Sequence, residues 1–371
     1  MKRSLVRPMP LIALTLAGSL VLGACSNDDD SSSDSTAADS TSQSASEGTK
    51  DSSDAKEVTI KHAWGEDTYP VKPKKIVAMG TSVDNLLALG ITPDVVVQSP
   101  DDAQNAKWKN DKLKDVKKID AEPRELPVEK IAAEKPDFIV GDFYRINQDA
   151  YNKLKEVAPT LPGMGQDPQL IGWKPQLEAL GKIYQDEDKV KDIEKKDTEA
   201  FENAKKDLKG LDGKSALVVQ HRSGNFGVIT DEANPVNQFF TDLGMKLPAG
   251  YTDGSIPTQQ GRAMISPENI DKLTADFMVL FAADGMDAVR AVPGYNDLKQ
   301  VKSGATVEDN KAVSSALYVP SSLSREWALK EIKPELKKVS DEKSDSKDDS
   351  NKSGCLPISL PTLLCGCGVA Y

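Results

Sequence analysis

Six side chains are candidates for a binding site, and three of them stand at the ends of apolar, strand-like runs, where α/β sheets expose their chemistry. Arg222 follows the run Ala216-Leu-Val-Val-Gln220, and Tyr144 and Arg145 follow Phe138 to Val140. Arg262 precedes a second acidic motif, Trp64 follows the first alternating run, and Trp173 opens a helical stretch. Planar cations and aromatic faces suit a bulky, often anionic ligand. A charge pair at about 4 Å and an effective dielectric near 20 is worth on the order of 4 kcal/mol, so arginines can dominate selectivity. Arg222 is the leading candidate, against a reading in which it only bridges lobes or faces water. Trp64 and Trp173 either line the site or pack in the core. Trp327, on the last helix, reads as a packing residue. Covalent catalysis lacks its parts: there is no G-x-S-x-G, no H-E-x-x-H, and only His62 and His221 to serve as bases.

A second constellation is written twice. VEKIAAEKPDFIV from Val128 to Val140 aligns without a gap on PENIDKLTADFMV from Pro267 to Val279. Glu129 falls on Glu268, Ile131 on Ile270, Asp137 on Asp276, and Phe138 on Phe277. Each copy reads as a short helix started by an acidic residue, then an acidic turn and a buried strand. Two such units about 140 residues apart predict two lobes of similar build with one glutamate at the matching place on each. Either the glutamates meet a partner or they only complement the helix dipole. Asp84, in Ser82-Val-Asp-Asn, is a rival acidic residue on the first lobe.

The elements that must position these residues follow in order. A strand from Glu57 and a hairpin partner near Thr68 lead to the buried run Lys75 to Ala78. Helix Ser82 to Leu89 ends at Gly90, and Asp94 to Gln98 is the next strand, a β, α, β order. After the first motif comes a helix near Gln148 to Val157. From Trp173 the chain turns helical, and Glu187 to Leu208 contains neither Gly nor Pro, with Asp186 as its expected cap. At 1.5 Å per residue such a helix reaches roughly 33 Å, enough to span two lobes. The second lobe starts at Ala216, has a helix near Asn237 to Leu243, a strand predicted near Ala316 to Val319, and a last helix Ser324 to Leu336. The fold class is therefore α/β, two lobes joined by one long helix. The predicted boundaries are 1–24 signal peptide, 25–56 tether, 57–163 first lobe, 164–209 helical connector, 210–338 second lobe and 339–371 tail.

The 371 residues carry a net charge of -11 with no basic tract interleaved with aromatics, which argues against a nucleic-acid partner. Met1 to Ala24 has a basic start and an apolar run too short for a comfortable membrane span, so it reads as an export signal. It ends in Leu22-Gly23-Ala24-Cys25, which resembles a bacterial lipobox and predicts a lipid anchor at acylated Cys25. Ser26 to Lys56 is almost without apolar side chains, a disordered tether that lets a folded body stand off from a membrane. The other cysteines, Cys355, Cys365 and Cys367, lie in the tail, so no disulfide framework braces the body. Cys365-Gly-Cys367 lacks the second pair that a soft-metal site needs nearby, and two histidines make a His-rich metal centre improbable.

The pieces KHAWGEDTYPVKPKKIVAMG, LLALGITPDVVV, both glutamate motifs, YNKLKEVAPTL, LEALGKIYQDEDKV, LVVQHRSGNFGV and VPSSLSREWALKEI stand in a fixed order from Glu57 to about Lys338. In that order they resemble the substrate-binding lipoproteins of ABC importers for ferric siderophores, haem and cobalamin. The resemblance implies a shallow inter-lobe cleft with little closure and a ferric siderophore as transported ligand, haem or cobalamin being the alternative. It also implies that Glu129 and Glu268 meet arginines on the two permease subunits. The protein is then extracytoplasmic, anchored to the cell membrane, without a cofactor or enzymatic activity. A surface-anchored hydrolase is the competing class.

Overall fold

Apolar runs such as Ile76-Val-Ala-Met79 and Phe138-Ile-Val-Gly141 are buried at every position, the signature of strands covered on both faces. The computed structural model describes residues 56–122, 125–165 and 172–341. Cys25, with the signal and tether, and the cysteines of the tail lie outside them.

The described chain opens with a hairpin, β1 (Glu57–His62) and β2 (Gly65–Pro70), paired from Glu57 opposite Pro70 to His62 opposite Gly65. Next come β3 (Ile76–Met79), α1 (Thr81–Ala88), β4 (Val95–Gln98), α2 (Pro100–Asn105), β5 (Lys117–Asp120), α3 (Val128–Ala133), β6 (Phe138–Gly141), α4 (Gln148–Leu154) and β7 (Thr160–Leu161). The connector is α5 (Lys174–Tyr184) and α6 (Glu187–Asp207). The second lobe runs β8 (Ala216–Arg222), β9 (Asn225–Ile229), α7 (Pro235–Thr241), β10 (Arg262–Ile265), β11 (Phe277–Ala282), α8 (Met286–Arg290), α9 (Lys299–Ser303), β12 (Thr306–Glu308), α10 (Lys311–Tyr318) and α11 (Ser322–Ser340).

The first sheet has the order β5-β4-β3-β6-β7 and is parallel throughout. The second has the matching order β10-β9-β8-β11-β12, with β8, β11 and β12 parallel and β9 antiparallel to both its neighbours, β8 and β10. The lobes are therefore alike in layout and unlike in strand direction on one side. Alternate residues of each central strand feed opposite cores. Ala216, Val218, Phe277 and Val279 join one cluster of the second lobe, and Leu217, Val219, Met278 and Leu280 the other. Along α6, Val190 and Ile193 pack in the first lobe and Phe201 and Ala204 in the second, so one 21-residue helix ties both cores. Trp327 packs against Trp108 with ring centroids 5.6 Å apart.

The repeat has a structural meaning beyond its glutamates. Asp137 accepts the backbone N–H groups of Lys74 and Lys75 at 3.1 and 2.8 Å, just ahead of β3. Asp276 accepts the N–H and Oγ–H of Ser215 at 2.7 and 2.8 Å, just ahead of β8. Each aspartate thus pins the start of the neighbouring parallel strand. Alanine at either position should cost about 1–2 kcal/mol, similar in the two lobes, measured by urea unfolding of each variant.

Three expectations change. Ala316 to Val319 is not a strand: Asn310 caps α10 through the Val313 N–H at 3.1 Å, and Ala312, Val313, Ala316 and Leu317 bury one helical face. The second copy of the repeat begins with a 3-10 segment rather than an α-helix, because Asn269 leaves helical geometry at φ -108, ψ 28. Asp186 stands at the start of α6 but makes no side-chain cap there; Gln185, at φ 52, breaks α5 from α6.

Candidate functional site

Strands β3 and β6 run side by side and end in Gly80-Thr81 and Asp142-Phe-Tyr-Arg145, at the point where the chain turns to opposite sides of the sheet. Asp142 holds this floor together. Its carboxylate accepts from Thr81 N–H at 2.6 Å, Thr81 Oγ–H at 3.0 Å, Tyr144 N–H at 3.0 Å and Arg145 N–H at 3.1 Å. Burial raises the carboxyl above its ordinary range, and the four donors oppose that shift. On α5, Gln176 accepts from Ser82 Oγ–H at 2.8 Å and donates to the Gly141 carbonyl at 3.0 Å, fixing the connector to both strand ends.

Two adjoining cavities open across the lobes, sharing Thr81, Asp142, Tyr144, Tyr318 and Val319. The smaller, about 80 Å³, has Trp173 and Phe143 on one side and Arg262 and Asn234 on the other. The larger, about 440 Å³, is lined by Trp108, Lys109, Arg145, Gln220, Phe281 and Lys311 among others. Its size falls within the range of small-molecule sites.

The sequence-derived candidates divide accordingly. Tyr144 borders both cavities and is 59% exposed, an unusual position for a large aromatic. Arg262 opens β10 beside the smaller cavity, exposed, with no acidic partner among the described residues. Burial pushes the Tyr318 phenol up to about 12, and the positive charge of Arg262 opposes it. Trp173 is buried and does both jobs weighed for it, lining the cavity and packing with Leu177 and Leu180. Arg145 faces the larger cavity and pairs with Asp102 on α2.

Arg222 and Trp64 line neither cavity. Arg222 ends β8, where Ser223 and Gly224, both at positive φ, form a two-residue hairpin turn that leaves its side chain exposed opposite Asn225. It shares the sheet face of Gln220 but stands two residues farther out. Trp64 sits behind Phe143, edge to face at 5.8 Å, and packs on Tyr151 at 5.3 Å. His62 is buried at 3.1 Å from Asp67, which also accepts from the Tyr151 hydroxyl. His221 is buried on β8, with Nδ1 3.8 Å from Asp284.

Glu129 and Glu268 are both exposed, in the first turns of their segments. The Glu268 carboxyl is held below its ordinary value by its own backbone N–H and by Ser266. Asp84 is no rival to them: it is buried, accepting from Trp108 Nε1–H at 3.1 Å and pairing with Lys109 at 3.0 Å. Sequence reasoning missed Gln176 and Lys109, and it placed Asp142 only within the stretch 142–145 after the strand, without a role. Only Gln176 left a trace, as an amide beside the apolar stripe of Leu177 and Leu180.

Known proteins resemble this chain in sequence and in fold. The probable siderophore-binding lipoprotein YfiY of Bacillus subtilis is 29% identical over 275 residues, covering 70% of this chain and 82% of that protein. The petrobactin-binding protein YclQ of the same organism is 25% identical over 353 residues, covering 90% of this chain and all of YclQ. Among solved structures, a periplasmic solute binding protein from Mycobacterium smegmatis superposes with a TM-score of 0.64 at 25% identity, covering 77% of this chain and 99% of that one. The paired sheets, the connector through both cores and a match to the Periplasmic binding protein family across residues 76–312 agree, and the chain belongs to that family.

Proposed function

We propose that this protein is the substrate-binding component of an ABC importer that captures a ferric siderophore and delivers it to its permease. The observation that carries the reading is the Arg262 guanidinium, without an acidic partner among the described residues, bordering a cavity with exposed Tyr144 on the opposite lobe. A cation and a phenol set across a cleft suit a bulky chelate that bears negative charge. The relatives named for siderophores support the same ligand class. Neither His62 nor His221 borders either of these two cavities, so histidine ligation of a haem iron there is disfavoured. The acylated Cys25 and the tether hold the body outside the cell membrane, and Glu129 and Glu268 dock it on the two permease subunits.

The test is a titration with ferric siderophores, haem and cobalamin followed by tryptophan fluorescence, since Trp173 and Trp108 border the two cavities. Saturation by a ferric siderophore at micromolar concentration or below is expected. Absence of saturation by any of them removes the solute-binding reading. Arg262→Ala should weaken an anionic chelate about tenfold, ~1.4 kcal/mol, with folding unchanged. An unaltered dissociation constant moves the anion site elsewhere.

A further inference from the structure

The larger cavity holds a guanidinium that is not fully used. The Arg145 side chain is only 8% exposed and pairs through Nη2 with Asp102. Its Nη1 is buried with no hydrogen-bond partner among the described residues. A buried donor left unpaired is destabilising, so the site lacks an oxygen acceptor. Lys109 and Lys311 add two ammonium groups to the same wall, and Trp108 and Phe281 add aromatic faces.

Each of these cations already has its own aspartate: Lys109 has Asp84, Lys311 has Asp101 and Arg145 has Asp102. With Asp142 also on the wall, the cavity is charge-compensated, and one more anion added to it would face carboxylates that stay put. The three aspartates differ in freedom. Asp84 is buried and tied to Trp108, whereas the Asp102 side chain is 43% exposed on a helix of only six residues. Water can receive Asp102 if it swings outward, and apart from Arg145 its carboxylate holds only Ser99 among the described residues, whose N–H and Oγ–H it accepts at 2.9 and 2.8 Å.

We propose that this cavity is the subsite for a carboxylate arm of the ferric chelate, seated on Arg145, with Asp102 as the internal carboxylate it replaces. A guanidinium fork matches a carboxylate in two parallel hydrogen bonds, and exchanging one carboxylate for another keeps the charge balance of the wall. The inference rests on the ferric chelate reading given above and adds the substrate class, hydroxycarboxylate rather than neutral hydroxamate.

The full chain is titrated with ferric dicitrate and, in parallel, with ferrichrome, a neutral trihydroxamate. Arg145→Gln should weaken ferric dicitrate roughly tenfold or more, the scale of a charge-assisted pair, and leave any ferrichrome binding within about twofold. Asp102→Asn, at a half-exposed position where an amide still caps Ser99, should tighten ferric dicitrate several-fold. Equal effects on both chelates, or no effect of either substitution on ferric dicitrate, overturn the subsite. Ferrichrome binding without ferric dicitrate binding also overturns it while the siderophore reading stands. If no ferric siderophore of any class binds, both fall together.

Discussion

Alanine at both Glu129 and Glu268 is expected to abolish import of the chelate while its dissociation constant and the melting temperature stay unchanged. Both side chains are exposed, and neither borders the cavities between the lobes. Exposed substitutions away from caps and cores usually move stability within about 0.5 kcal/mol. The same exposure leaves the carboxylates free for a partner. Close charge pairs across protein interfaces couple by about 1.5–7 kcal/mol, so losing two at the low end removes ~3 kcal/mol, more than a hundredfold in docking affinity.

The single variants separate docking from a local helix effect. A carboxylate that only complements a helix dipole is worth about 0.3–1 kcal/mol and acts on stability, not on uptake. The second copy begins with a 3-10 segment, so a dipole role predicts a smaller stability loss for Glu268→Ala than for Glu129→Ala. Docking predicts that both singles reduce uptake and that the double loses more than either. The measurement is uptake of radiolabelled iron chelate by cells carrying only the variant, beside binding by the purified protein. Uptake equal to wild type in the double variant sinks the assignment.

The two-lobe plan was legible because its evidence is local or repeated. The long Gly- and Pro-free stretch is α6, the buried apolar runs are β3, β6, β8 and β11, and the shared glutamate motif marks corresponding places in two sheets of the same order. The site was legible only in part. Tyr144, Arg145 and Trp173 stand at strand or helix ends, where a general rule points, and they border the cavities. Arg222 obeys the same rule yet borders neither cavity, because the hairpin at Ser223-Gly224 turns β8 away, and an antiparallel partner is not written in β8 itself. Ala316 to Val319 read as a strand for a related reason: four residues show no clear period until the Asn310 cap fixes the helix phase. The pairings of Asp142 and Lys109 were invisible, since their partners Thr81 and Asp84 lie 61 and 25 positions earlier in the chain.

Gly80→Ala is expected to destabilise the protein by about 4 kcal/mol and to impair both cavities together. Gly80 precedes α1 at φ 67 and ψ -141, a conformation that residues with a Cβ rarely adopt and that costs them on the order of 1–3 kcal/mol. A Cβ at this position would also fall on the Asp142 carboxylate. That carboxylate cannot step aside freely, because it holds four donors from Thr81, Tyr144 and Arg145. Moving it leaves buried N–H groups unpaired, at roughly 1–3 kcal/mol for each group that finds no water. Against a typical total of about 5–15 kcal/mol, this is a large loss. A double-variant cycle identifies the cause. Asp142→Ala alone should destabilise by losing its four donors, but in the Gly80→Ala background it also removes the clash, so the double should fall short of the sum by at least about 1 kcal/mol. Additivity within about 0.5 kcal/mol in urea unfolding means that the cost of Gly80→Ala lies in the backbone alone.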